Sequence, residues 1–174
     1  MSLTAPARLQ AFRERCEVYL RRGYDRFAAA RHVVDAAASL RGPALDVGTG
    51  QGFLALELAR RGLDIVSVDV DAEAQELAWL RAEEAGLGNR IAFVAGDTSR
   101  LPYPDGHFGC AAMMDVLHHL DTPGPVLREM GRVVAEGGLV VIADFDEQGF
   151  ELVSRVHREE GREHPRTAAT VGLA

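Results

Sequence analysis

Residues 45–52 read Leu45-Asp46-Val47-Gly48-Thr49-Gly50-Gln51-Gly52. A short apolar run, 44–47, carries one carboxylate and passes into three alternating glycines. A helix-like run, 53–61, follows at once. Glycine accepts positive φ and lets a ligand approach the main chain. A helix that opens directly behind such a loop offers unsatisfied N–H groups to an anion. A dinucleotide loop reads G-x-G-x-x-G and would need glycine at position 53; here that residue is Phe53, and the pattern is G-x-G-x-G. A pyrophosphate would also be repelled by Asp46. The loop suits a ligand with an ammonium group for Asp46 and a carboxylate for the helix N-terminus.

Further acids follow the later strand-like runs. Ile65-Val66-Ser67-Val68 ends in Asp69, 17 residues beyond Gly52, near the spacing at which an acid meets a ribose diol. Its two oxygens suit two hydroxyl donors. Asp71, directly before Ala72, is the better helix N-cap, which leaves Asp69 for a ligand. Asp97, in Ala95-Gly96-Asp97-Thr98, can accept from an adenine amine or close an Asx turn. S-adenosylmethionine carries the ammonium, carboxylate, ribose and adenine that these positions call for. Its sulfonium methyl is already activated, so transfer needs in-line positioning and desolvation. A base is required only where the acceptor must lose a proton. Met113-Met114-Asp115-Val116-Leu117-His118-His119-Leu120 follows the fourth run. His118 is the first candidate base and Asp115 the second; a supporting or capping role for His118 stays open. No third ligand at fitting spacing accompanies His118 and His119, so no metal is expected.

The elements that must position these residues are legible as periodicities. Residues 8–20 and 25–40 read as helices. In the second, Phe27, Ala30, Val33, Val34, Ala37 and Ala38 share helical spacing. Gly23 separates the two, and Gly42-Pro43 should end the second. Strands are expected at 44–47, 65–68, 91–94, 110–114 and 139–143, with helices at 52–61, 72–85, 123–134 and 149–160. The strands are continuous apolar runs, as in a parallel sheet covered on both faces. Strand–helix alternation then gives a doubly wound α/β sheet, whose ligands bind at the carboxyl ends of the strands. One domain is expected over 1–174: an N-terminal helical cap at 1–42, a Rossmann-like core at 43–160 and a tail at 161–174. Tyr24 opens the second helix together with Asp25 and Phe27. It makes the cap either a lid over the pocket or simply a cover for the sheet.

Bulk properties narrow the classes. The 174 residues suffice for one sizeable core, and a hydrophobic content of 47% argues against disorder. No apolar run reaches the roughly 18 residues of a membrane span, and 1–10 lack a signal pattern. Met1-Ser2-Leu3 reads as an expression scar and carries no weight. Cys16 and Cys110 have no metal spacing, and Cys110 reads as a reduced core residue; a cytoplasmic location follows. A net charge of −7 disfavours a nucleic-acid binder. The charge is uneven: 1–41 hold eight arginines against four acids, and 42–150 hold seven against eighteen.

As an ordered set these motifs resemble the class I S-adenosylmethionine-dependent methyltransferases. The nearest group is the small-molecule (type 11) one related to ubiquinone/menaquinone-biosynthesis methyltransferases. The resemblance covers about 20–150. It rests on the segment 45–52, Val68-Asp69, Gly96-Asp97, the stretch Leu101-Pro102-Tyr103-Pro104-Asp105-Gly106-His107-Phe108, Val116-Leu117-His118-His119-Leu120, Leu127-Arg128-Glu129 and the run from Leu139 to Phe145. It implies that Asp46, Gly48, Thr49, Gly50 and Gly52 hold the methionine part and that Asp69, with Val70 beside it, holds the ribose. Asp97 and Thr98 would meet the adenine, Asp115 would border the cofactor, and Tyr24 would close over it. S-adenosylhomocysteine would be the product, and the partner a small-molecule acceptor, with no nucleic acid and no membrane.

Three departures stand out. Gly109 follows Phe108 where the family usually has Asp, which should loosen the start of the fourth strand. No Asn-Pro-Pro-Tyr-type motif follows that strand, which argues against methylation of adenine or glutamine amino groups. The family's C-terminal antiparallel hairpin has no room after Glu160. The strand 139–143 would then form an apolar edge, an association hazard. The edge would be covered by the helix 149–160 or by a second copy, or the chain is a shortened form of a longer protein; a homodimer or a shortened chain is expected. Two other classes compete. A nicotinamide-dependent oxidoreductase is disfavoured by Phe53 and Asp46. A cofactor-binding regulatory or scaffold domain without turnover is kept open by the short C-terminal end.

Overall fold

Ala44, Leu45 and Val47 are fully buried, and they set β1 (Ala44–Val47) at the centre of a five-stranded sheet. Around it lie β2 (Ile65–Asp69), β3 (Ile91–Ala95), β4 (Phe108–Met114) and β5 (Val134–Ala143), in the order β3-β2-β1-β4-β5. Every pairing is parallel, with Asp46 level with Ser67 on one side and Ala112 on the other. The helices are α1 (Ala5–Arg21), α2 (Arg26–Ala36), α3 (Phe53–Arg60), α4 (Ala72–Glu84), α5 (Pro123–Val133) and α6 (Glu147–Glu159). This computed structural model describes residues 3–37 and 39–163. Met1 and Ser2, Ala38 of the α2 stripe, and the tail from His164-Pro165 to the apolar end at 171–174 lie outside the described residues. No helix among those described is long and apolar enough to cross a membrane.

Both faces of the sheet are packed at its centre, as continuous apolar strands require. One core joins Leu54, Ala55 and Leu58 of α3 and Ala82 of α4 to Ala44, Ile65 and Ala112. The other joins Val126, Met130 and Val133 of α5 to Leu45, Val47 and Met113. Each buried Leu, Ile, Val or Met among them is worth about 1.5–3 kcal/mol of removal from water, and each Ala less. At the outer strand the expected two-sided cover fails. Val140 is 38% and Ile142 44% exposed, and β5 has no sheet neighbour on its outer side among the described residues. The helix 149–160, one of the three alternatives for that edge, does not cover Val140 and Ile142. Val153 and Val156 of α6 pack instead on Tyr19 of α1, beside Phe145.

Three other expectations are corrected. The second helix stops at Ala36 rather than running to Gly42-Pro43. The chain leaves the helical path through Ser39, at φ 67°, and so delivers Leu40 to the core beside α3. The fifth strand begins at Val134 rather than 139 and absorbs Gly137-Gly138 through a register shift opposite Phe108 and Cys110. Gly109 does not loosen β4. Its N–H donates to the Pro43 carbonyl at 2.8 Å, and a Cβ there would lie 2.6 Å from the Arg41 carbonyl oxygen. Only glycine lets these main chains approach so closely.

Gly109→Ala should therefore destabilise the protein by about 1–3 kcal/mol through overpacking against main chain. Urea unfolding measures it, and an unchanged midpoint would contradict the close approach.

Candidate functional site

The carboxyl ends of β1 to β4 open into a cavity of about 710 Å³, within the range of nucleoside and drug-sized ligands. Its wall carries Gly48, Thr49 and Gly50 from the loop after β1, and Asp69 and Val70 from the end of β2. Asp97 and Thr98 come from beyond β3, and Asp115 from beyond β4. A second cavity, of about 370 Å³, shares Arg26, Gln51, Asp71, Asp115 and His119 with the first and adds Tyr24, His118 and Phe145. The sequence-expected site residues thus gather at one sheet edge, with two exceptions. Asp46 and Gly52 are not on either wall.

Asp46 is 1% exposed. It lies one residue short of the strand end, and its Oδ2 accepts the Ser67 hydroxyl at 2.6 Å. That corrects the expectation that Asp46 touches a ligand directly. With its proton committed there, Ser67 Oγ must accept from Thr49 Oγ1, at 2.7 Å. Thr49 Oγ1 in turn accepts from Gln75 Nε2 at 3.1 Å. Gln75 Nε2 also reaches the carbonyls of Ser67 and Val94, at 3.1 and 3.0 Å. A directed chain of donors thus runs from α4 through the loop and β2 into Asp46. Burial, assisted by the charge of Asp69 and opposed by the Ser67 bond, raises the Asp46 carboxyl to about 7. Its Oδ1 is buried with no hydrogen-bond partner.

The loop's glycines are required by its path. Gly48 has φ +81°, and a Cβ there would sit 2.3 Å from Val116 Cγ2. Gly52 has φ +79°, and a Cβ there would meet Ala78 and Leu56 at 2.8 and 2.9 Å. Gly52 therefore serves helix packing rather than a ligand. At Gly50 the corresponding space is open, which is where a ligand can approach the main chain.

Asp71 caps α4 through the amides of Glu73 and Ala74, as its position suggested. Asp69 is nevertheless not left wholly to a ligand. Its Oδ2 accepts the Gly50 amide at 2.7 Å and its Oδ1 the Asp71 amide at 2.8 Å. Each oxygen keeps a second lone pair for a hydroxyl donor. Asp97 forms the Asx turn, accepting from Ser99 N at 2.8 Å, while standing on the cavity wall. Hydrogen bonding by Ser99, side chain and amide together, lowers its carboxyl from the usual range. Val70, 76% exposed, offers an apolar face at the mouth.

Asp115 stands where the two cavities meet, at φ 58°, a left-handed conformation that Asp tolerates better than most residues. Its Oδ2 accepts the Tyr24 hydroxyl at 3.0 Å. Burial raises the Asp115 carboxyl to about 6 despite that bond. Burial and the charge of Asp115 push the Tyr24 phenol upward. His118 is 1% exposed, and its Nδ1 lies 2.6 Å from Asp144 Oδ1. Asp144 Oδ2 accepts the His118 amide at 3.0 Å. If Nδ1 donates to Asp144, the neutral ring carries its lone pair on Nε2. Burial would raise the Asp144 carboxyl, but the His118 bond, its charge and two amides outweigh it and lower it.

Sequence reasoning passed over Asp144, Arg26 and the Ser67–Gln75 chain. Asp144 had a visible signal, because an acid closes the apolar run of β5 as Asp69 closes β2. Arg26 lies on both walls, 3.2 Å from Gln51 Oε1 and over the Phe53 ring at 4.3 Å. No group of three or more metal-binding side chains occurs among the described residues.

A parallel doubly wound sheet whose strand ends present acids to a cavity of nucleoside size is the arrangement in which α/β proteins bind nucleoside ligands. Residues 45–142, more than half the chain, match the family described as methyltransferase domain, and the chain belongs to that family. It is 32% identical over 130 residues to a demethylmenaquinone methyltransferase of Renibacterium salmoninarum, covering 74% of this chain and 52% of that protein. It is 30% identical over 123 residues to the 27-O-demethylrifamycin SV methyltransferase of Amycolatopsis mediterranei, covering 68% and 45%. The chain thus spans about half the length of such relatives. Among solved structures, the [4+2]-cyclase SpnF superposes with a TM-score of 0.60 at 34% identity, over 66% of this chain and 43% of that one. A candidate S-adenosyl-L-methionine-dependent methyltransferase of Methanococcus maripaludis superposes with 0.69 at 19% identity, over 92% and 76%, and shows the shared fold.

The Asp46 shift has a sign that can be checked. A carboxyl raised on folding from 3.8 to about 7 binds its proton more tightly in the native state. Its contribution to stability is complete below about pH 4 and is lost as pH rises to about 7. Asp46→Asn keeps an acceptor for Ser67 without the charge. Relative to wild type it should gain about 2–4 kcal/mol between pH 4 and 8. Paired denaturation curves at the two pH values measure this, and a pH-independent difference would refute it.

Proposed function

We propose that the chain binds S-adenosylmethionine in the larger cavity and promotes methyl transfer to a small molecule held in the smaller one. The observation that carries this proposal is the presence of Asp69, Asp97 and the open face of Gly50 on one wall that adjoins a second cavity at Asp115. Asp69 has lone pairs for a ribose diol, Asp97 an acceptor for an amine, and Val70 an apolar face for a flat ring. Arg26 and the amides opening α3 suit a carboxylate. Bound S-adenosylmethionine supplies a methyl on a positively charged sulfur and leaves as S-adenosylhomocysteine.

The chain's own residues do the rest. Tyr24, Phe145 and Asp115 bound the acceptor space, together with Arg26 and His157. His118 is the first candidate base for an acceptor proton, and Asp144 orients its ring, as in other histidine–carboxylate pairs. Asp115 keeps its place as the second candidate base, held by Tyr24. Free Cys16 and Cys110 support a reducing, cytoplasmic setting. The open β5 edge, with Val140 and Ile142, supports pairing of two copies; sedimentation of a monomer only would count against it.

The likeness to a structure named as a [4+2]-cyclase favours a second reading, in which the cofactor pocket is kept without methyl turnover. Radiolabelled S-adenosylmethionine incubated with cell extract separates the two. A labelled small molecule supports transfer. Tight S-adenosylhomocysteine binding without label supports the second reading, and tight NAD binding alone would overturn both. Asp69→Ala should weaken S-adenosylhomocysteine binding by about 1–3 kcal/mol, and an unchanged affinity would remove Asp69 from the site. His118→Ala and Asp144→Asn should each slow turnover by about 10²-fold or more with cofactor affinity within about twofold. Equal losses in both would make the pair structural.

A further inference from the structure

Arg81, on α4, is 5% exposed, yet no carboxylate among the described residues lies within ion-pair distance of it. Its charge is met in another way. The guanidinium lies over Phe12 at 4.0 Å, Phe53 at 4.5 Å and Phe27 at 5.5 Å, and it donates to the carbonyl of Gln51. The three rings belong to α1, α3 and α2, and they also touch one another, at 5.1 to 6.2 Å between centroids. One cation therefore contacts both N-terminal helices and the glycine loop. A buried guanidinium is costly unless its donors and charge are met, and ring faces meet only the charge. The Gln51 carbonyl is thus a required partner and not an incidental one.

We propose that Arg81 is a positioning residue for the cofactor: it fixes the Gln51 carbonyl, and with it the Gly50 amide on the cavity wall, only while Phe12 and Phe27 of the N-terminal helices are seated against it. Loop geometry and helix seating are then one equilibrium. Displacing α1 takes the Phe12 ring from the cation and loosens its hold on the loop. This inference rests on the proposed cofactor reading.

The test uses Arg81→Met, which keeps the aliphatic length, and Arg81→Lys, which keeps the charge but cannot span rings and carbonyl together. S-adenosylhomocysteine titration should show affinity about tenfold lower in R81M and an intermediate loss in R81K. Hydrogen exchange on the ligand-free proteins should quicken together at the amides of 50–53 and in α1. Phe12→Leu should weaken S-adenosylhomocysteine binding about threefold in the wild-type background and by little in R81K, a comparison that stands even if R81M fails to fold. Affinity within twofold of wild type in R81M, or an equal Phe12→Leu effect in both backgrounds, would overturn the proposal. Wild-type protein that binds no S-adenosylhomocysteine would overturn the cofactor reading instead. The exchange pattern would still decide the tie between helix and loop: quickening confined to α1 counts against it.

Discussion

The site depends on a carboxylate that holds two loops together. A glycine loop with positive φ at successive points has little conformational preference of its own. Asp69 supplies one, with one oxygen on the Gly50 amide and the other on the Asp71 amide. The loop after β1 and the loop after β2 are thereby fixed to each other at the sheet edge. Behind them the chain from Gln75 through Thr49 and Ser67 to Asp46 does the same from inside. A ribose diol would meet a carboxylate already oriented by two amides, so little ordering would remain for binding to supply.

The N-terminal helices complete the two cavities. Their basic surface sits on the acidic core through exposed pairs such as Arg8–Glu76, Arg13–Glu84 and Arg22–Glu159. Exposed pairs are worth at most about 1 kcal/mol each, so they set orientation more than stability. The cluster of Phe12, Ala30 and Phe53, with Tyr19 on Val153 and Val156, carries the apolar attachment. Tyr24 reaches from this layer to Asp115, where the two cavities meet.

The central strands and the cavity acids were legible because both follow period and position. A continuous apolar run that ends in an acid is a parallel strand with its carboxyl end at the ligand edge. Asp69, Asp97 and Asp115 all obey that rule. Asp46 misled because it lies one residue inside its strand, and a single position turns a carboxylate from the cavity to the interior. The extent of β5 was hidden by Gly137-Gly138, which look like a helix stop and serve as a bulge. Gly109 could not be interpreted without the Arg41 carbonyl beside it. Arg81, Ser67 and Gln75 carried no local signal, since their roles exist only once α4, the loop and the N-terminal helices are brought together.

The most direct test of the account is an NMR titration of the wild-type protein with S-adenosylhomocysteine, following backbone amides. Saturable shifts should appear at Gly50, Asp71 and 97–99 together, since one nucleoside would touch the groups that bind or border them. Saturable shifts confined to another surface, or shifts at only one of these three places, would contradict a single nucleoside site at the carboxyl edge of the sheet.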